Sequence, residues 1–141
     1  MSEVNGRVPT KDDEKIVLFG WVPTEDEEQM ALFNWALLAA GAHPELRLLF
    51  HIPNGGSRGK AEAGRFRAMG VKSGVPDLFL PVARGPWHGL FVELKRTKGG
   101  RVSAEQAAWI RGLGAQGYCA TVCYGWEDAR REIERYLRLE G

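Results

Sequence analysis

The pattern of apolar and polar positions opens with a polar stretch, residues 1–23, holding Pro9, Pro23 and one apolar run over residues 16–22. That run suits three uses: an added strand, a dimer arm, or a clip across the rest of the fold. Residues 24–141 read as one domain. A helix starts after Thr24, with Glu27 three residues on in the spacing of a capping box. Its apolar side is expected to carry Met30, Phe33, Leu37 and Leu38, and Gly41 ends it. Residues 48–52 read as a strand, 53–59 as a loop and 60–69 as a short basic helix. A second glycine-bearing loop, 70–76, leads into two apolar runs, 77–82 and 89–95. These read as adjacent strands joined by a turn at Gly85 and Pro86. A basic loop at 98–101 precedes a helix over 103–116 capped by Ser103. A strand over 118–124 and a helix over 127–139 follow. The order α β α β β α β α predicts an α/β fold with a mixed sheet flanked by helices.

The candidate chemistry sits on the two central strands. Asp77 opens the first, and Glu93-Leu94-Lys95 closes the second. Side chains alternate along a strand, so Glu93 and Lys95 face one side and Leu94 the other. With the strands in register, Asp77 shares the face of Glu93 and Lys95. Acids at strand ends are common as surface decoration. These two runs are almost wholly apolar, however, and are expected to be buried on both faces, where an unpartnered carboxylate is costly. Two carboxylates about 4 Å apart repel by roughly 4 kcal/mol at an effective dielectric of 20. A divalent cation relieves that repulsion and activates water for attack on a phosphodiester. Magnesium keeps several waters and needs only one or two carboxylates. An ammonium beside it stabilises the negative transition state.

Composition sets the outer bounds. The chain has 141 residues, of which 44% are hydrophobic and 26% charged, the balance of a single globular domain. No apolar run approaches a membrane span and no signal peptide is visible, so a cytoplasmic setting is expected, in a bacterial or phage-infected cell. Cys119 and Cys123 lie too far apart along one strand for an easy disulfide and are expected as reduced thiols. The net charge of +1 hides an asymmetry. Residues 58–101 hold ten Lys/Arg against Glu62, Asp77 and Glu93, about +7, while residues 12–14 and 25–28 are acidic. A basic stretch around an acid pair suits a polyanionic substrate. Residues 54–61 do not make a P-loop, because Asn54 stands where a glycine is needed and Ala61 replaces the Ser/Thr. His43, His51 and His88 form no ligand cluster by spacing; only His51 falls near the acids. The five tryptophans are scattered and read as packing residues.

Taken in order, these residues resemble the VRR-NUC domains, a branch of the PD-(D/E)xK nucleases. The likeness rests on the acidic helix start at 25–29, then Ile52-Pro53-Asn54-Gly55-Gly56, the loop 70–77, Glu93-Leu94-Lys95, Ser103-x-x-Gln106 and Gly117-Tyr118. It spans residues 24–138. The resemblance implies a PD-(D/E)xK restriction-endonuclease-like fold and a Mg2+- or Mn2+-dependent DNA endonuclease. Standalone members are similar to dimeric Holliday-junction resolvases. By that resemblance Asp77 and Glu93 are metal ligands, Lys95 is the motif lysine, and the Leu94 carbonyl is a further ligand. Glu25, with Gln29 at Glu-x-x-x-Gln spacing, completes the site, with Glu28 as the fallback. Acids in a helix's first turn are also favoured by the helix dipole alone. Gln106 corresponds to a downstream glutamine that orients Lys95 or the attacking water; alternatively it serves only the Ser103 capping box. Asn54, Arg58, Lys72 and Ser73 are the expected DNA contacts, with branched DNA and a homodimeric partner copy. Two other readings remain: a flap or repair nuclease, and a non-catalytic DNA-binding subunit of a replication or packaging assembly.

Overall fold

The structure is a computed structural model that describes residues 22–53 and 59–141. The expectations for residues 16–21, and for Asn54 and Arg58, fall outside that set. The elements are α1 (Glu25–Ala39), a 3₁₀ turn (Pro44–Leu48), β1 (Phe50–His51), α2 (Lys60–Ala68), β2 (Leu78–Leu80), β3 (Leu90–Lys95), α3 (Ala104–Ala115), β4 (Cys119–Tyr124) and α4 (Trp126–Leu137). Their order is the one predicted, with the 3₁₀ turn added. Pro44 starts that turn, which takes Leu48 out of the predicted strand and leaves β1 only two residues long.

The four strands lie in the order β1-β2-β3-β4. β1 and β2 are antiparallel, as are β2 and β3, while β3 and β4 run parallel through the α3 crossover. The predicted turn between β2 and β3 closes through reciprocal Arg84–Trp87 backbone bonds of 3.1 and 2.9 Å, with Gly85 at φ 52. The even-numbered residues Leu78, Leu80, Leu90, Val92 and Leu94 are at most 1% exposed and meet Leu32, Ala129, Ile133 and Tyr136 from α1 and α4. Each large aliphatic chain enclosed this way contributes about 1.5–3 kcal/mol. The Tyr136 hydroxyl donates to the Val82 carbonyl at 2.6 Å, tying α4 to the end of the β2 segment.

The inward face of α1 differs from expectation. Leu32 and Ala36 enter the core together with Glu28, whereas Met30, Leu37 and Leu38 are 65–78% exposed; of the predicted set only Phe33 packs on the core. Residues 30–39 of α1 are apolar on almost every side, so the inward face is chosen by the sheet rather than by periodicity. Both predicted capping boxes form. The Thr24 hydroxyl accepts from Glu27 N and Glu27 accepts from Thr24 N; Ser103 and Gln106 do the same at α3. Cys119 and Cys123 are free thiols, and burial pushes Cys123 up to about 12, leaving it protonated and inert.

Candidate active site

β2 and β3 bring the two acids together through their register. Leu78 pairs with Val92, so the next position back sets Asp77 across from Glu93. Odd-numbered side chains share the face opposite the core, which places Asp77, Glu93 and Lys95 on one surface as predicted. The ladder itself explains how Asp77 is held. Gly89 O and Lys95 O accept from Cys119 N and Gly125 N, so odd peptides of β3 face β4 and even ones face β2. β2 ends at Leu78, and there the Asp77 carboxylate accepts from Leu94 N at 2.8 Å in place of the next backbone rung. The Leu94 carbonyl, on the same side of the strand as its amide, opens toward that gap.

Glu93 is 2% exposed and Lys95 6%. Glu93 Oε1 accepts from Gln106 Nε2 at 2.7 Å and lies 3.4 Å from Lys95 Nζ. Glu93 Oε2 is buried and has no hydrogen-bond partner. Burial first, and the Asp77 charge second, push the Glu93 carboxyl up to about 7, against the pull of Lys95. Lys95 also lies 3.9 Å from Glu25 Oε2 on the first turn of α1. Two carboxylates, Glu93 and Glu25, therefore flank one ammonium, and Glu93 carries an orphaned oxygen beside a further acid, Asp77.

That donor set, two carboxylates and a backbone carbonyl, fits a hard divalent cation. Among the described residues no three His, Cys, Asp or Glu side chains converge on one point. Such an ion would rely on Asp77, Glu93, the Leu94 carbonyl and solvent. Glu25 faces Lys95, and Glu28 is engaged at the start of α4, its Oε1 accepting from Trp126 N at 3.4 Å.

Gln106 forms the expected capping box, but the partner of its amide is Glu93, not Lys95. Its Oε1 accepts from Ser103 N at 2.9 Å while its Nε2 donates to Glu93, so the capping box itself orients the amide. Lys72 and Ser73 are exposed on the loop leading to Asp77. Gly74 docks that loop on α3: it adopts φ +89, and a Cβ there would lie 2.7 Å from the Glu105 backbone. His51, which spacing placed near the acids, sets its Nδ1 2.9 Å from the Asp77 carbonyl. His88 packs against Gly117 and Tyr118 instead. The role of Glu28 at the start of α4 has no signal in the sequence, because a charged residue on a helix's first turn reads as solvent-facing.

The sequence profile of the VRR-NUC domain matches residues 25–127. A solved structure described as a VRR_NUC domain protein is 33% identical, over 84% of this chain and 91% of that one, with a TM-score of 0.71. No functionally curated protein matches the chain. Among the described residues no helix is long and apolar enough to cross a membrane.

Proposed function

Because the chain belongs to the VRR-NUC family, a nuclease family of the PD-(D/E)xK type that generally uses divalent metal, we propose that it is a Mg2+- or Mn2+-dependent, structure-specific DNA endonuclease that acts on branched DNA in the manner of a Holliday-junction resolvase. The observation that carries the chemistry is the orphaned, buried Glu93 Oε2 beside Asp77. A buried acid pair with a vacant oxygen is costly without a cation. The bound cation supplies charge neutralisation and activation of water.

The residues divide the remaining work. Asp77 and Glu93 hold the cation, with the Leu94 carbonyl as a third donor and Glu25 bordering the site through Lys95. Gln106 fixes the Glu93 carboxylate, so the acid is preorganised rather than reoriented during reaction. Lys95 stabilises the added negative charge as water attacks phosphorus in line and the opposite P–O bond breaks. Lys72 and Ser73 contact phosphates flanking the cut, together with Asn54 and Arg58. Paired cuts across a junction need two sites, hence a symmetric dimer. The exposed Met30, Leu37 and Leu38 on the outer side of α1 support a contact with a second copy.

The test offers four-way junction, 5′ flap, 3′ flap, duplex and single-stranded DNA side by side, with Mg2+, Mn2+ or EDTA. Asp77→Ala and Glu93→Ala are the controls. Paired nicks at the junction, lost in EDTA and in both variants, are expected. Flap cleavage would replace the resolvase reading with a repair-type one. Binding without metal-dependent cutting would leave a DNA-binding subunit.

A further inference from the structure

Glu28 is 4% exposed, and it and Glu93 are the two buried carboxylates among the described residues. Its surroundings explain why an acid is kept there. α4 begins after Gly125, which has no side chain to cap it, and Glu28 Oε1 accepts from Trp126 N in its stead, across 98 residues of sequence. The preceding amide, Gly125 N, donates to the Lys95 carbonyl at 2.7 Å. Glu28 Oε2 is buried without a partner and aimed at the same turn. It stands 3.1 Å from where a Cβ on residue 125 would lie, and Thr97 Cγ2 stands 2.7 Å from that point. Gly125 has φ +87, so the close approach and the backbone both call for glycine.

α1 thus grips Lys95 twice. Glu25, one turn before Glu28, reaches its ammonium. Glu28 reaches its backbone through Trp126 and Gly125. We propose that Glu28 is a positioning residue for DNA cleavage: it pins the first turn of α1 to the end of β3 through the start of α4, and so holds Glu25 and Lys95 in place beside Glu93. The inference rests on the nuclease reading above. What matters in Glu28 is reach and an acceptor oxygen rather than charge on a metal.

Two conservative variants separate these roles. Glu28→Asp keeps the charge but withdraws the oxygen from Trp126 N. Glu28→Gln keeps the reach and the acceptor but removes the charge. The expected result is a kcat about 10-fold lower in Glu28→Asp with unchanged DNA affinity in EDTA, and a rate close to wild type in Glu28→Gln. Amide hydrogen exchange at Gly125 and Trp126 should be faster in Glu28→Asp and near wild type in Glu28→Gln. The opposite order of rates would make Glu28 a direct, charge-dependent participant and overturn the proposal. Wild-type rates in both variants, or equal loss in both, would overturn it as well. Should the wild-type protein cut no DNA, the nuclease reading falls first. The exchange measurement then decides the clamp alone, and unchanged protection at Gly125 and Trp126 in Glu28→Asp refutes it.

Discussion

Replacing Glu93 by glutamine should stabilise the metal-free protein while abolishing its activity. Glu93 sits at about 7 in the folded chain against an ordinary 4.5, with burial the first cause and Asp77 the second. A folded-state value raised above the unfolded one means that the folded chain holds its proton more tightly. Stability from this group is therefore fully present below pH 4.5 and is lost as pH rises through about 7. A shift of that size corresponds to roughly 3 kcal/mol, an upper figure for a group so closely coupled to its neighbours. Glutamine has nothing to ionise, and its carbonyl can still accept from Gln106 Nε2. The variant should match wild type near pH 5 in EDTA and exceed it at pH 8.5, where roughly 3 kcal/mol converts to a melting temperature about 10 °C higher. Burial raises Glu28 too, but that group is present in both proteins and drops out of the comparison. Saturating Mg2+ should then raise the wild type at pH 8.5 and leave Glu93→Gln unmoved. The assay is a set of thermal melts across pH with and without metal. A wild type whose melting temperature in EDTA does not fall from pH 5 to pH 8.5 relative to Glu93→Gln would refute the argument that burial and Asp77 strain this carboxylate.

Further outcomes follow from the same geometry. Gln106→Glu should keep the Ser103 capping box, and hence thermal stability near wild type at pH 6, yet cut the rate by about 10-fold or more by adding a negative charge against Glu93; equal cleavage would show that the amide serves only the cap. Gly74→Ala places a side chain at φ +89 and against the Glu105 backbone. It should cost about 1–2 kcal/mol from the backbone alone, plus whatever is needed to shift the first turn of α3, seen as a lower melting temperature and a slower cut. Tyr136→Phe removes the buried bond to the Val82 carbonyl. A stability loss of about 1–3 kcal/mol in denaturant titration, with kcat unchanged, is expected, because this contact is remote from the acids.

Which features could be read ahead of the structure depends on whether local physics or tertiary packing decides them. The acid pair and Lys95 were legible because strand alternation fixes their shared face once the two runs are adjacent, and the turn at Gly85 and Pro86 makes them adjacent. The helix starts were legible because capping boxes are local. The packing face of α1 was not. A helix with apolar residues on every side carries no directional signal, so Leu32 and Ala36 entered the core where Met30 and Leu37 were expected. The strand lengths failed for a related reason. Pro44 starts a 3₁₀ turn that draws Leu48 out of one predicted strand, and Pro81 stands inside a run that hydrophobicity alone would carry on to Val82.

The two capping boxes show how much further local chemistry reaches than the helix it caps. Both have a hydroxyl at the cap and an acceptor three residues on, but α1 uses Glu27 where α3 uses Gln106. For capping alone the two are equivalent, since only one oxygen is needed. They differ in what the unused end of the side chain can do. Glu27 offers a second negative oxygen, which is harmless in its half-exposed position. Gln106 offers two N–H donors, and one of them meets Glu93 Oε1 at 2.7 Å. A glutamate at 106 would bring a further charge to a carboxyl already strained by Asp77 and burial. The choice of amide over acid is therefore not a helix-stability decision. It belongs to the site, and it ties the orientation of Glu93 to the first turn of α3, the same turn on which Gly74 seats the loop leading to Asp77. One helix start thus positions one acid by a hydrogen bond and the approach to the other by close packing.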